Sequence, residues 1–335
     1  MSFTALAMTH SAAGTTRHLL TVIGVLLIVA LVAAPLMVGS RYAIYLGTLV
    51  ALQCGLAASL NLILGYTGQF ALSHSAFFGL GAYTSALLVM RYDMTFWGSL
   101  PATLALAAVV ALAIGYPALR LTGGIHFALL TFGFGELVRL IVANWYDVTN
   151  GPQGLTLTYA PEPVFGLVFS TNRGMYMLAV ACLLVILAVL VYVKHSRFGR
   201  ACLAVREDET LAGSLGINVT WTKVAAFVLS SVLAALVGAV YAPFISFISP
   251  EMMAASDSVS MVGMLVVGGL GTLSGSIIGP LIFVAIPELL RFADLYRLVA
   301  LGVIFILVAL FMPSGIGGQV RKLDLLLLKR SRRTQ

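Results

Sequence analysis

The sequence predicts an all-α polytopic membrane protein with about ten transmembrane helices. Two features of composition and one pattern carry that expectation. Of 335 residues, 60% are hydrophobic and only 9% are charged, whereas soluble domains carry roughly a quarter charged residues. The mean hydropathy of +1.04 points the same way: too little polar surface exists to cover a water-facing fold. The pattern is a succession of apolar runs of about 20 residues, the length a helix needs to cross the hydrocarbon core.

Residues 1–18 are polar and end in Arg17-His18, so they are expected outside the bilayer. A first span is expected at 19–38, where Ala33-Ala34-Pro35 makes a poor signal-peptidase site because proline follows directly. Arg41 separates it from a second span at 42–64. The third runs from 70 to 90, bounded by Arg91-Tyr92-Asp93, and the fourth from 100 to 119 with Pro117 near its end. The fifth starts near Gly123-Gly124 and reaches about Ala143. Proline and glycine are dense in 144–174 and exclude a long regular helix there. Spans six and seven follow at 175–193 and 224–248. Two apolar stretches in 257–290 are divided by Gly268-Gly-Leu-Gly-Thr-Leu-Ser-Gly-Ser276. They fit either two spans, eight and nine, or one span plus a re-entrant segment. A tenth is expected at 298–312, which makes 19–315 one transmembrane domain and leaves 316–335 as a basic tail.

The net charge of +7 comes from 19 basic and 12 acidic residues. The basic residues concentrate in short connections and in the tail, the pattern that holds segments on the cytoplasmic side, and nucleic acid is not the implied partner. This bias puts both termini and residues 194–223 in the cytoplasm. Cys54, Cys182 and Cys202 lie in or beside apolar runs without CxxC or metal-ligand spacing, so buried free thiols are expected.

Four groups of residues stand out chemically. Gly65 and Gly68 suit a tight turn, and Gly79 and Gly81 give span three a surface on which another helix can pack closely. Gly268 and Gly271 repeat that spacing, which reads either as a weak internal repeat of a transport fold or as ordinary helix packing. His74 needs a partner on another helix, Asn61 being a candidate, and serves either a structural hydrogen bond or direct substrate contact. With Gln69, Thr131 and Glu136 it forms the candidate pathway set; Glu136 has Arg139 three residues on, so a local ion pair competes with a role in a gate.

The fourth group lies in 194–223, the most polar internal segment. Arg206 to Leu215 is expected to form a short helix with Glu207, Asp208 and Glu209 in its first turn, where negative charge suits the helix dipole. Leu211 and Leu215 make an apolar pair, and Gly216 and Asn218 end the helix. It is either a docking element for a partner or a solvated connection. No catalytic, cofactor-binding or metal-ligating set is present, and no G-x-x-x-x-G-K-[ST], so nucleotide chemistry would need a separate chain.

Together these segments resemble the LivM-type permease subunits of branched-chain amino acid ABC importers. The resemblance rests on Asn61-Leu-Ile-Leu-Gly-Tyr-Thr-Gly-Gln-Phe-Ala-Leu-Ser-His-Ser-Ala-Phe-Phe-Gly-Leu-Gly-Ala-Tyr83 and on the run from Leu121 to Glu136. Thr149-Asn-Gly-Pro-Gln-Gly-Leu155, Ser196-Arg-Phe-Gly-Arg-Ala201, Ala204-Val-Arg-Glu-Asp-Glu-Thr210, Ser214-Leu-Gly-Ile-Asn218 and the run from Gly268 to Pro280 complete it. The resemblance covers about residues 40 to 315. It implies a bacterial inner-membrane permease working with a homologous LivH-type permease, two cytoplasmic ATPases that bind ATP and Mg, and a periplasmic solute-binding protein. It makes 196–218 the coupling region, although the Glu209-to-Gly216 spacing departs from the tighter general ABC pattern. It implies leucine, isoleucine and valine as cargo, with urea, short amides or other small solutes as alternatives within the family. A stand-alone secondary transporter or channel is the competing class; it would need no separate ATPase.

Overall fold

A computed structural model describes residues 40–121, 124–163, 168–289 and 302. The span expected at 19–38, the one expected at 298–312 apart from residue 302, and the 1–18 and 316–335 segments lie outside the described residues. The regular structure of the described residues is helical apart from one pair of two-residue strands.

Five of its helices are long and apolar enough to cross a membrane: Arg41–Tyr66, Phe96–Arg120, Ile125–Asn144, Asn172–His195 and Val219–Ile245. That is fewer than ten. Beyond the two spans outside the described residues, three expected ones are shorter or more polar than a simple span. The third begins only at His74, because residues 68–73 are not helical, and its helix is 19 residues long. The eighth and ninth are helices of 14 and 15 residues. At 1.5 Å per residue these reach roughly 21 and 22 Å, against about 30 Å of hydrocarbon. They form a hairpin of two short helices.

Helix α1 (Arg41–Leu60) starts at Ser40, whose side chain accepts the Ala43 N–H, and runs directly into a π-helical turn at Asn61–Tyr66. After the irregular 68–73 segment come α2 (His74–Tyr92), α3 (Phe96–Leu121) and α4 (Ile125–Asn144). Glu162 caps α3 from the following connection: its carboxylate accepts the Phe96 N–H at 2.9 Å, and its carbonyl accepts the Trp97 indole N–H at 3.1 Å. That connection also holds strand β1 (Leu155–Thr156), antiparallel to β2 (Phe247–Ile248) beyond the end of α8. Then follow α5 (Asn172–His195), α6 (Arg197–Glu207), α7 (Glu209–Ser214), α8 (Val219–Ile245), α9 (Ala255–Gly268) and α10 (Gly275–Leu289).

Small residues set how closely these helices pack. A Cβ on Gly81 would stand 2.1 Å from the Ala235 carbonyl, and one on Gly238 would stand 1.9 Å from that of Phe78, so α2 and α8 touch backbone to backbone. In lipid, where hydrophobic burial drives little helix association, such contact supplies the packing energy. Around it Phe77, Phe127 and Phe227 form edge-to-face ring contacts at 5.6 Å. Gly79 makes room for the Met253 side chain, and Gly268 meets the Gly275 backbone where α9 and α10 close.

Candidate functional site

The site grows from the π-helical turn. A π turn loosens the regular backbone ladder and often marks a functional position. Here it places Asn61, fully buried, against the tip of the α9–α10 hairpin. The Asn61 amide oxygen accepts the Gly271 N–H at 2.8 Å, and its nitrogen donates to the Thr272 carbonyl and the Ser276 hydroxyl, both at 3.0 Å. Gly65 completes the junction by having no side chain: a Cβ there would lie 2.7 Å from the Gly271 nitrogen and 1.9 Å from the Asn61 amide oxygen. The two glycine segments that looked like distant counterparts in the sequence therefore touch each other.

The polar connection docks on the same junction. Arg206 donates from Nη1 to the Gly65 carbonyl, and its side chain lies across Gly68, whose φ of +72° turns the chain. Beyond that turn, Gln69 donates to Glu209 at 3.3 Å, and the same Glu209 oxygen lies 2.5 Å from the Lys223 ammonium. Lys223 sits at the start of α8 with its side chain 4% exposed.

The helix expected over 206–215 is in fact two helices. Asp208 adopts an extended backbone between α6 and α7 and caps α7, accepting the Thr210 and Leu211 N–H groups at 2.8 and 2.9 Å. A capping carboxylate satisfies amides that the helix start leaves open. Glu207 therefore closes α6, and only Glu209 stands in the first turn of α7. Gly216, at a φ of +83°, ends this segment as expected of a glycine stop. Asn218 is a starter rather than a stop: its side chain accepts the Trp221 N–H at 3.1 Å at the head of α8. Leu211 and Leu215 are 60% and 73% exposed.

Two further candidate residues, Thr131 and His74, bond to elements beside this junction. Thr131 on α4 accepts the Leu72 N–H at 3.0 Å and so ties down the irregular 68–73 segment. His74 opens α2 and is buried, with Nε2 2.7 Å from the Ser59 hydroxyl; Asn61, the partner considered from sequence, is committed to the hairpin instead. Ser230 donates to the Ser59 carbonyl at 2.8 Å, so α1, α2 and α8 share one polar node. Next to it Ser75 pairs with Ser258 of α9 at 2.7 Å, a contact that the sequence did not signal.

Glu136 lies apart, on α4. Arg139 donates from Nε to its carboxylate at 2.9 Å, as the three-residue spacing foretells, and also reaches Glu251 at 3.3 Å. The Glu136 and Arg139 side chains are 35% and 22% exposed on a helix that also presents Phe132, Leu137, Leu140 and Ile141. Among the described residues no group of three His, Cys, Asp or Glu side chains could hold a metal ion. Cys202, buried in α6, has its thiol pushed up to about 12 by burial and so stays protonated at neutral pH.

Comparison with known proteins adds the family context. Residues 42–309 match the family described as branched-chain amino acid transport system, permease component. The chain is 34% identical over 316 residues to the high-affinity branched-chain amino acid transport system permease protein LivM of Escherichia coli, covering 87% of this chain and 73% of that protein. It is 28% identical over 287 residues to the permease protein LivH of the same organism, covering 79% of this chain and 90% of the relative. To the permease protein BraD of Pseudomonas aeruginosa it is 26% identical over 308 residues, covering 85% and 94%. No solved structure matches it.

Proposed function

The chain belongs to the LivM-type permeases of branched-chain amino acid ABC importers, and from that premise we propose that it carries leucine, isoleucine and valine across the bacterial inner membrane by alternating access. The observation that carries this reading is the attachment of α6–α7 to the glycine junction. An importer powered by a separate ATPase needs an element outside the membrane that is mechanically joined to irregular backbone inside it. Arg206 on Gly65, and Glu209 on Gln69 and Lys223, make that join.

In this reading residues 194–223 form the cytoplasmic coupling segment, with Arg206, Glu207, Asp208, Glu209, Leu211, Leu215 and Gly216 as its working residues. Both termini are cytoplasmic. A LivH-type permease completes the membrane part, two ATPases bind ATP and Mg below it, and a periplasmic binding protein delivers the amino acid. Gln69, His74, Thr131 and Glu136 border the pathway. What favours Glu136 is its depth: it is the twelfth residue of α4, roughly 17 Å along the axis from the start. A half-exposed ion pair at that depth faces water or protein, since lipid would penalise it heavily.

The deciding experiment is ATP-dependent uptake of labelled leucine by the reconstituted complex. Uptake should need the ATPases, and deletion of 206–216 should abolish ATPase copurification while the chain still inserts. Leucine uptake that proceeds unchanged without an ATPase would reject the importer reading. Competition by urea or acetamide, but not by valine or isoleucine, would reject the cargo.

A further inference from the structure

We infer that Glu209, Lys223 and Arg206 are positioning residues that strap α6–α7 to the 68–73 segment and to the α9–α10 tip, so that the three move as one body. The inference rests on the reading of α6–α7 as the coupling element and changes which of its residues face a partner. Glu209, acidic and near a helix start, looks like a docking contact; its side chain is 48% exposed, yet its Oε1 is held by both Lys223 and Gln69.

Three observations carry this. The Lys223 ammonium is 4% exposed, and among the described residues its ion-pair partner is Glu209, at 2.5 Å. A buried ammonium stripped of its carboxylate is strongly disfavoured, so Glu209 is not free to exchange Lys223 for a cation on another subunit. Secondly, the same Glu209 oxygen accepts from Gln69, which extends the hold across the left-handed turn at Gly68. Gln69 is itself buried, and its amide oxygen has no partner among the described residues, so Glu209 is what fixes this side chain. Thirdly, Arg206 reaches both glycine segments at once: it donates to the Gly65 carbonyl, and a Cβ on Gly271 would come within 2.8 Å of its Nη1.

The two attachments lie on either side of Asp208, the cap that separates α6 from α7. A displacement of either helix is therefore delivered to the start of α2 and to the hairpin. Glu207 and the exposed Leu211 and Leu215 lie outside these attachments.

Charge exchange tests the strap. Glu209→Gln and Lys223→Gln should each lower leucine uptake by about tenfold while ATPase copurification is retained; the double exchange Glu209→Lys with Lys223→Glu should restore most of it. Lys223→Arg, which keeps the charge, should stay close to the wild type. A second readout does not depend on transport. Amide hydrogen exchange at 68–73 and 269–273 in the purified full chain should quicken in both single variants and recover in the double exchange. Unchanged exchange in the single variants, or loss of ATPase copurification that the double exchange does not mend, overturns the strap. A wild-type chain that neither copurifies with an ATPase nor moves leucine would instead defeat the importer reading, and the exchange data would still decide the strap.

Discussion

Asn61 makes three hydrogen bonds, all to a segment more than 200 residues away in the chain. Asn61→Leu keeps the branching but adds bulk and removes every one, leaving the Gly271 N–H without its partner, while the Thr272 carbonyl keeps only its bonds from Ser276. A cost of about 1–3 kcal/mol follows for stranded buried groups, read as a lower thermal unfolding midpoint in detergent. Gly65 is more demanding still. Gly65→Ala drives a methyl into the Gly271 backbone, whereas Gly133→Ala meets nothing within 4 Å. Folded yield should fall sharply for the first and hold for the second, measured by monodisperse protein after extraction. Cys202 gives a chemical check at this scale: with its thiol held up near about 12, maleimide labelling at pH 7–8 should be slow until α6 is unfolded.

At the scale of elements, α7 is six residues long, too short to persist alone, and depends on its cap and its docking. Asp208→Ala should cost about 1 kcal/mol of local stability and quicken amide exchange at Thr210 and Leu211, while Asp208→Asn should largely preserve both. This segment also shows what the sequence reveals and what it hides. Acidic residues ahead of an apolar pair announce a short helix. They do not say that the helix breaks at Asp208, although of the three acidic residues only aspartate has the short side chain that suits an N-cap. The glycines announce irregular backbone, and Glu136 finds Arg139 because helical spacing brings them together. Ser59 for His74, Ser258 for Ser75 and Glu251 for Arg139 stay hidden: each sits on another element, and no local pattern sets that register. The hairpin is a matter of length, since a glycine-rich interruption leaves room for two spans or for two short helices.

For the whole molecule, the Glu136–Arg139–Glu251 group predicts how the bundle is surrounded. Arg139→Leu leaves a carboxylate at mid-helix without its cation and should reduce inserted protein several-fold, with a penalty of about 3 kcal/mol. Glu136→Gln with Arg139→Gln removes both charges together and should insert nearly normally. If the pair borders the pathway as proposed, that double variant should still lose leucine uptake. Quantitative membrane fractionation beside uptake separates the two effects.

The junction at Asn61 also bears on how the protein comes to exist. Synthesis runs from the N-terminus, so α1 and its π turn are made long before the residues that satisfy them. Arg206 reaches the Gly65 carbonyl only after 141 further positions, and the Ser276 hydroxyl meets Asn61 only after 215. Until then a buried amide and an open carbonyl wait in an apolar setting, in need of water or of the insertion machinery as temporary partners. A chain that stops short of Gly271 carries this polar wound permanently. Its own architecture marks it as unfinished, and membrane quality-control proteases are the agents equipped to recognise it.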